Sequence, residues 1–198
     1  MDWDYLQEEI PQAINQSRDG VARVSSIVRA MKEFSHPASR KKTGANINRI
    51  IETTVTVARN EWKYVADVDL QLAEDLPQIP CLVDEMGQVI LNLLVNAAHA
   101  IAGKLGKNPD GAKGTITIRT LVRDEQVEIR ITDTGTGMPP EIHEKVFDPF
   151  FTTKEVGRGT GQGLTIAHDV VCDKHGGTLT FESMHGQGTT FIIRLPLQ

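Results

Sequence analysis

Two asparagines, one aspartate and two clusters of glycine are the residues of this 198-residue chain whose types and spacing suit them to chemistry. Asn92 and Asn96 stand four residues apart, so on a helix they project from one face. Their amide oxygens are hard donors, suited to an Mg2+ ion that completes its shell with phosphate oxygens and water. His99, three residues on, can reach the same rim. Leu91, Leu93, Leu94 and Val95 surround the pair, which makes the asparagines polar exceptions on an apolar helix. Asp133 ends a strand-like run ahead of Gly135 and Gly137. A fixed carboxylate there can accept the amino hydrogen of adenine, while glycine lets a flat ring approach the backbone. An Asx turn, with both glycines merely reversing the chain, is the structural alternative. Gly159, Gly161 and Gly163 then lead into an apolar helix, whose first N–H groups can receive phosphate. No Lys-Ser/Thr pair follows Gly163, so this is not a P-loop. Together these residues imply a nucleotide site for ATP and Mg2+.

Composition sets the frame. The formal charge of −5 speaks against nonspecific nucleic-acid binding, and no nucleic-acid partner is expected. Cys81 and Cys172 lack the spacing of a metal or redox motif and suit a reducing compartment. No segment reads as a membrane span and the acidic start does not resemble a signal peptide. The expectation is a cytoplasmic chain without membrane contact, from a parent that could itself be membrane-anchored.

The elements that would position these residues follow from periodicity. Ile10, Ala13, Ser17, Gly20, Val24, Ile27, Met31 and Phe34 recur at spacings of three and four, the stripe of a long helix that buries one face in a bundle. The face could cover the main domain; a dimeric bundle is the favoured reading of that stripe. His36-Pro37 stops the helix, and residues 37–45, with the run Arg40-Lys41-Lys42, read as a hinge. Beyond it, Asn46 or Asn48 caps a helix, Val68–Leu72 alternates as a strand, and Asp84 or Glu85 opens the helix that carries both asparagines. Thr115–Leu121 and Val127–Thr132 read as neighbouring strands around an Asp124-Glu125 turn. Helical signal returns after Pro139-Pro140 and from Gly163 through Lys174, and Thr178–Ser183 with Thr189–Leu195 form a last hairpin. The fold class is α/β: a mixed or mostly antiparallel sheet with helices packed over one face.

The ordered set Asn92-Leu-Leu-Val-Asn96-Ala-Ala-His99, Asp133-Thr-Gly-Thr-Gly137, Phe147-Asp-Pro-Phe-Phe151-Thr-Thr-Lys154, Gly159-Thr-Gly-Gln-Gly163-Leu164 and Gly186-Gln-Gly188-Thr189 resembles the N, G and F elements of sensor histidine kinases. More broadly, residues 47–197 look like the ATP-binding domain that those kinases share with gyrase-type ATPases, a heat-shock chaperone family and MutL. The resemblance implies a Bergerat-type two-layer α/β sandwich over 46–198, preceded by the long helix. It implies that Asn96 is the principal Mg2+ ligand, that Asn92 assists, and that Asp133 recognises adenine with support from Thr189. His99 and Lys154 would lie near phosphate, with Lys154 counted beside Asn92 and Asn96 among the catalytic groups. Gly135, Gly137, Gly159, Gly161, Gly163 and Leu164 would line the nucleotide, and Phe150 and Phe151 would belong to a lid. Residues 152–162 are expected to order when Mg–ATP binds.

Residues 5–35 resemble the second helix of a histidine-kinase dimerisation unit, so 1–36 would be a partial dimerisation and phosphotransfer region. The first helix of that unit, which bears the phosphoacceptor histidine, has no counterpart in the sequence, and His36, His143, His168, His175 and His185 lack the acceptor context. The resemblance therefore implies transfer of the ATP γ-phosphoryl to a histidine and thence to a response regulator in a homodimeric parent. This chain alone is expected not to autophosphorylate. The alternatives are an ATP hydrolase or chaperone-like module of the same superfamily, and a non-catalytic helical interaction module with a degenerate ATP site.

Overall fold

The computed structural model describes Ile10 and residues 41–106, 111–154 and 159–197. The expected N-terminal helix over 5–35 (Ile10 apart), His36, the hinge up to residue 40 and residues 155–158 of the second glycine segment lie outside the described residues. The chain divides into two compact units, Ser39–Phe151 with Gly161–Gln198, and Met1–Ala38 with Thr152–Thr160.

The larger unit begins with β1 (Thr43–Ala45), α1 (Ile47–Val57), α2 (Arg59–Trp62), β2 (Ala66–Gln71), β3 (Ile79–Cys81) and α3 (Val83–Leu105). It continues with β4 (Gly114–Arg123), β5 (Gln126–Asp133), α4 (Gly163–His168), β6 (Thr178–Met184) and β7 (Gly188–Pro196). Pro140–Lys145 forms a 3₁₀ turn, and α4 widens into a π-helical stretch over Asp169–Lys174. Asn46 is the cap of α1, its Oδ1 accepting from Arg49 N at 3.1 Å. Asn48 instead spans to the sheet, donating to Ala73 O at 2.8 Å and accepting from Thr120 Oγ1 at 2.9 Å. The segment Thr43–Ala45, expected within the hinge, is a strand paired antiparallel with Ile79–Cys81. Three residues are too few to display a period, so the sequence alone could not reveal it.

Five strands form the main sheet in the order β2-β4-β5-β7-β6; β2 runs parallel to β4 and the other pairs are antiparallel. The β4–β5 turn is made by Asp124 and Glu125 with φ of 50° and 58°, the left-handed geometry a two-residue hairpin needs. Alternation in β5 sends Val127, Ile129 and Ile131 to one face, beside their register partners Leu195, Ile193 and Phe191 of β7. Helix α3 adds Met86, Val89, Ile90, Leu93, Leu94, Ala97, Ala98 and Ile101 to this core. Each large side chain so buried contributes roughly 1.5–3 kcal/mol. The helix is long and apolar enough to cross a membrane by length and composition, which corrects the expectation that no segment is. Eight of its residues are buried in the core.

The N-terminus of α3 is held by a histidine from the far end of the chain. His175 is buried, its Nε2 accepting from Leu82 N at 3.0 Å while Nδ1 meets Val170 O at 2.7 Å. A carbonyl only accepts, so Nδ1 carries the proton and the ring is neutral. Burial pushes its pKa below 6.5; Lys42 and Lys174 push the same way, and the Val170 carbonyl and Glu85 oppose them. Because the unfolded chain takes up the proton first, this contribution is present above pH 6.5 and is lost as pH falls below it. His175→Ala should therefore lower unfolding stability by about 2–3 kcal/mol at pH 7.5 in urea denaturation, with the deficit shrinking below pH 6. A deficit independent of pH would contradict the neutral-ring account.

Candidate functional site

Helix α3 acts as a ruler for the site. Asn92, Asn96 and Ala100 follow at four-residue steps along one side of it, over roughly 12 Å. At one end, Asn92 Nδ2 donates to Gly163 O at 3.1 Å, and its Oδ1 accepts from Gln88 Nε2 at 2.9 Å. At the other end, Ala100 O accepts from Thr136 N at 3.2 Å. A Cβ on Gly135 would lie 2.6 Å from the Ala100 carbonyl carbon, so only glycine permits this approach. Gly163 is thus docked at Asn92 and the first glycine segment at Ala100. Half-buried Asn96 occupies the turn between them, and His99 is exposed on the following turn.

Asp133, the last residue of β5, is 5% exposed. Its Oδ1 accepts from Gly135 N at 2.8 Å, which is the Asx geometry the sequence offered as an alternative. The carboxylate also accepts from Thr189 N, across the β5–β7 rung that pairs the two residues. Burial raises the carboxyl from 3.8 to about 6, against those two N–H groups and the charge of Lys104. The acid is therefore under-compensated by the protein itself. A further donor at this position, such as an amino group on a ligand, would relieve it.

The glycines divide by what requires them. Gly137, at φ 63°, would drive a Cβ into Met184 O, and Gly161, at φ 66°, would drive one into the Phe150 backbone. At Gly163 a Cβ would meet Asn92 Cγ at 3.6 Å, an ordinary contact, so the protein's own packing leaves room there. Leu164 follows, half-buried against the core. Lys154 and Gly159 belong to the smaller unit, where Lys154 N donates to Thr152 Oγ1 at 3.2 Å. A Cβ on Gly159 would lie 2.8 Å from that same hydroxyl oxygen. Burial lowers the pKa of the Lys154 ammonium. Phe147 packs on His168 and Phe181 with ring centroids 5.2 and 5.9 Å apart, whereas Phe150 is 70% exposed with φ 65°.

Three residues at the site escaped the sequence reading. Gln88 orients Asn92, and Lys104 Nζ donates to Thr134 O at 2.9 Å beside Asp133. Ser183 Oγ lies 2.9 Å from Thr189 Oγ1 and accepts from Met138 N at 2.9 Å. A serine within a strand and a lysine in a last helical turn are too common to signal a role; only the β6–β7 register, Ser183 opposite Thr189, could have pointed to the serine.

Residues 82–198 match the family of histidine kinase-, DNA gyrase B-, and HSP90-like ATPases. The chain belongs to that family. Among its relatives, the sensor histidine kinase ZraS of Salmonella typhi is 32% identical over 96% of this chain, and the two-component sensor PprA of Pseudomonas aeruginosa is 32% identical over the whole of this chain. The chain spans 38% of the length of the first and 21% of the second. The nucleotide-free catalytic domain of the histidine kinase ThkA superposes with a TM-score of 0.66 at 31% identity, covering 79% of this chain and 95% of that one. ThkA has also been solved in complex with the response regulator protein TrrA; that kinase chain matches all of this one at 25% identity and a TM-score of 0.68, with 53% of its own length covered. In this ATPase family member the mixed α/β sheet stands as the sequence led us to expect.

The raised carboxyl of Asp133 has a measurable consequence without any ligand. The native state holds the proton more tightly than the unfolded chain, so its contribution to stability is present below about pH 4 and is lost as pH rises through about 6. At neutral pH the cost is about 3 kcal/mol. Asp133→Asn should gain about 1 kcal/mol over the unaltered protein between pH 5 and pH 7.5 in chemical denaturation. An Asn variant that loses stability relative to the parent over that range would contradict the assignment.

Proposed function

We propose that this chain is the ATP-binding catalytic part of a two-component sensor histidine kinase, with Mg–ATP held along the side of α3. In this reading Asp133 accepts the adenine amino hydrogen with Thr189 beside it, and Asn96 supplies an amide oxygen to Mg2+. Asn92 assists by tying Gly163 to the helix. Gly135, Gly137, Gly161, Gly163 and Leu164 line the nucleotide, with His99 on the phosphate side. Among the described residues no group of three or more His, Cys, Asp or Glu gathers to hold a metal. The donor set therefore suits an ion carried mostly by phosphate and water, as Mg2+ is in nucleotide sites. The observation that carries the reading is the common side of α3, where Asn92 meets Gly163, Ala100 meets Gly135 and Asn96 falls between.

In the whole parent, the nucleotide presents its γ-phosphoryl to a histidine; the bond to the β-phosphate oxygen breaks, ADP leaves, and the phosphoryl passes on to an aspartate of a response regulator. Mg2+ when bound neutralises the charge that builds on the phosphate oxygens. The likeness to ThkA, solved with a response regulator, supports that partner. The apolar stripe from Ile10 to Phe34 supports a homodimeric parent, and the kinase relatives support a cytoplasmic site of action. His36, His143, His168, His175 and His185 lack the acceptor context, so residues 1–198 by themselves bind Mg–ATP without phosphorylating themselves.

A hydrolase reading would need a carboxylate beside Asn96 to activate water. The acidic residues of α3, Asp84 and Glu85, stand at its first turn, and Glu85 is paired with Lys174 Nζ at 2.9 Å. That argues for the kinase. Calorimetry should show Mg2+-dependent ATP binding, weakened about 10- to 100-fold by Asp133→Ala, and rendered insensitive to Mg2+ by Asn96→Ala. Absence of binding by folded protein at millimolar ATP, or phosphohistidine formed by this chain alone, would overturn the respective half of the proposal.

A further inference from the structure

Alternation in β5 sends Glu128 and Arg130 to the face of the sheet opposite Val127, Ile129 and Ile131, away from α3. Arg119 of β4 stands directly opposite Arg130, and Arg194 of β7 directly opposite Glu128, so all four share that outer face. Glu128 is 1% exposed, whereas Arg130 and Arg194 are half-buried and Arg119 is exposed. Arg130 Nε donates to Glu128 Oε1 and Arg194 Nε to Oε2, each at 2.7 Å. Burial pushes the Glu128 carboxyl up, but the hydrogen bonds and charges of the two arginines outweigh it and hold its pKa below 4.5. One ionised carboxylate thus fixes two guanidinium groups.

A guanidinium has five N–H donors, and each of these two spends one, at Nε, on Glu128. Among the described residues, their Nη groups have no hydrogen-bond partner. Arg119 adds a third cation across the rung from Arg130, about 5 Å away at Cβ, where like charges repel. Arg194 is diagonal to Arg130, roughly 7–8 Å away. Glu182 attracts Arg130 from β6, on the far side of β7. On the β2 side, Asp69 accepts from Gln71 Nε2 at 2.7 Å and leaves Arg119 alone. The cluster therefore holds three cations against Glu128 and the more distant Glu182.

Shape and charge together select the occupant. A flat sheet face cannot desolvate a small anion, and single exposed ion pairs are worth little. Several carboxylates on one segment share the cost of docking. In an extended chain, alternate residues face the same way about 7 Å apart, close to the Arg130–Arg194 diagonal. The formal charge of −5 repels a long polyanion, and no aromatic side chain stands among the strand residues of this face to stack a base. These features favour protein over nucleic acid.

We propose that Arg119, Arg130 and Arg194, aimed outward by buried Glu128, form a docking surface for an acidic segment of a partner protein that carries carboxylates on alternate residues. Glu128 is a positioning residue: it takes no part in the contact and sets the two guanidinium groups. Helix α3 lies on the other face of the sheet, so the surface stands or falls independently of the nucleotide site.

The test uses the full chain and a short probe peptide of alternating glutamate and serine, read by nitrogen-15 NMR of the arginine Nε–Hε groups in low salt. The Arg130 and Arg194 signals should shift saturably, with a dissociation constant below about 1 mM, and binding should weaken as salt is raised. Arg119→Gln should weaken it about threefold. Glu128→Gln decides the mechanism. It makes the face more positive, so a patch acting by charge alone would bind the peptide more tightly. Loss of the aimed guanidinium groups should instead weaken binding about fivefold. Circular dichroism checks folding, and Arg119→Gln keeps the question measurable if Glu128→Gln folds poorly. Signals that stay still at millimolar peptide, tighter binding by Glu128→Gln, or unchanged affinity in Arg119→Gln would overturn the inference. Equal shifts with inorganic phosphate or with oligothymidylate would overturn it too, as a general anion or nucleic-acid site. Shifts that grow with protein concentration alone would make a second copy the occupant and overturn it likewise.

Discussion

A carboxylate is placed at the buried end of a central strand, and the protein does not fully compensate it. Asp133 receives N–H groups from Gly135 and Thr189 and feels the charge of Lys104, yet burial still wins and its pKa rises to about 6. Much of the surrounding architecture holds that acid in position. Gly135 lacks a side chain because α3 passes against it at Ala100, Gly137 because Met184 O occupies the space, and Gly188 because its backbone runs beside Asp133 O. The first glycine segment is thus clamped between a core helix and a hairpin turn. A preformed acceptor of this kind costs stability in the empty protein and returns it on binding.

The second constraint is the anchoring of α3. Eight buried residues anchor the helix to the sheet, and His175 fixes its first turn. With the helix anchored, Asn92, Asn96 and Ala100 keep their spacing, and Gly163 and the first glycine segment are docked at set positions along it. The acidic residues of α3 stay at its start, where Glu85 pairs with Lys174. The helix face between the glycine segments is therefore left to amides, which suit binding and orientation rather than activation of water.

Much of this was legible in the sequence, for physical reasons. The apolar spacing of α3, the alternation in β4 and β5, and the Asp124-Glu125 turn each express a single local period. The order of the asparagines, Asp133 and the glycines was legible because each stands out by type from the apolar or alternating run around it. What escaped was non-local. β1 is too short for a period, and its partner β3 lies more than thirty residues on. The engagement of the Asn92 amide by Gln88 and Gly163, the clamp of His175 on Leu82 and the Ser183–Thr189 contact all join residues whose types are unremarkable alone. The glycines of the first segment had two readings in the sequence, turn or ligand approach. The structure gives Gly135 and Gly137 a packing reason and leaves Gly163 without one.

The central proposal is that the Asp133 carboxylate takes a donor from the base. The most direct measurement is a carbon-13 NMR titration of its carboxyl carbon, in the free protein and in protein saturated with Mg–ADP. The account predicts a midpoint near pH 6 in the free protein and one well below it, toward 4, in the complex. A midpoint that is unchanged or raised by Mg–ADP would contradict it.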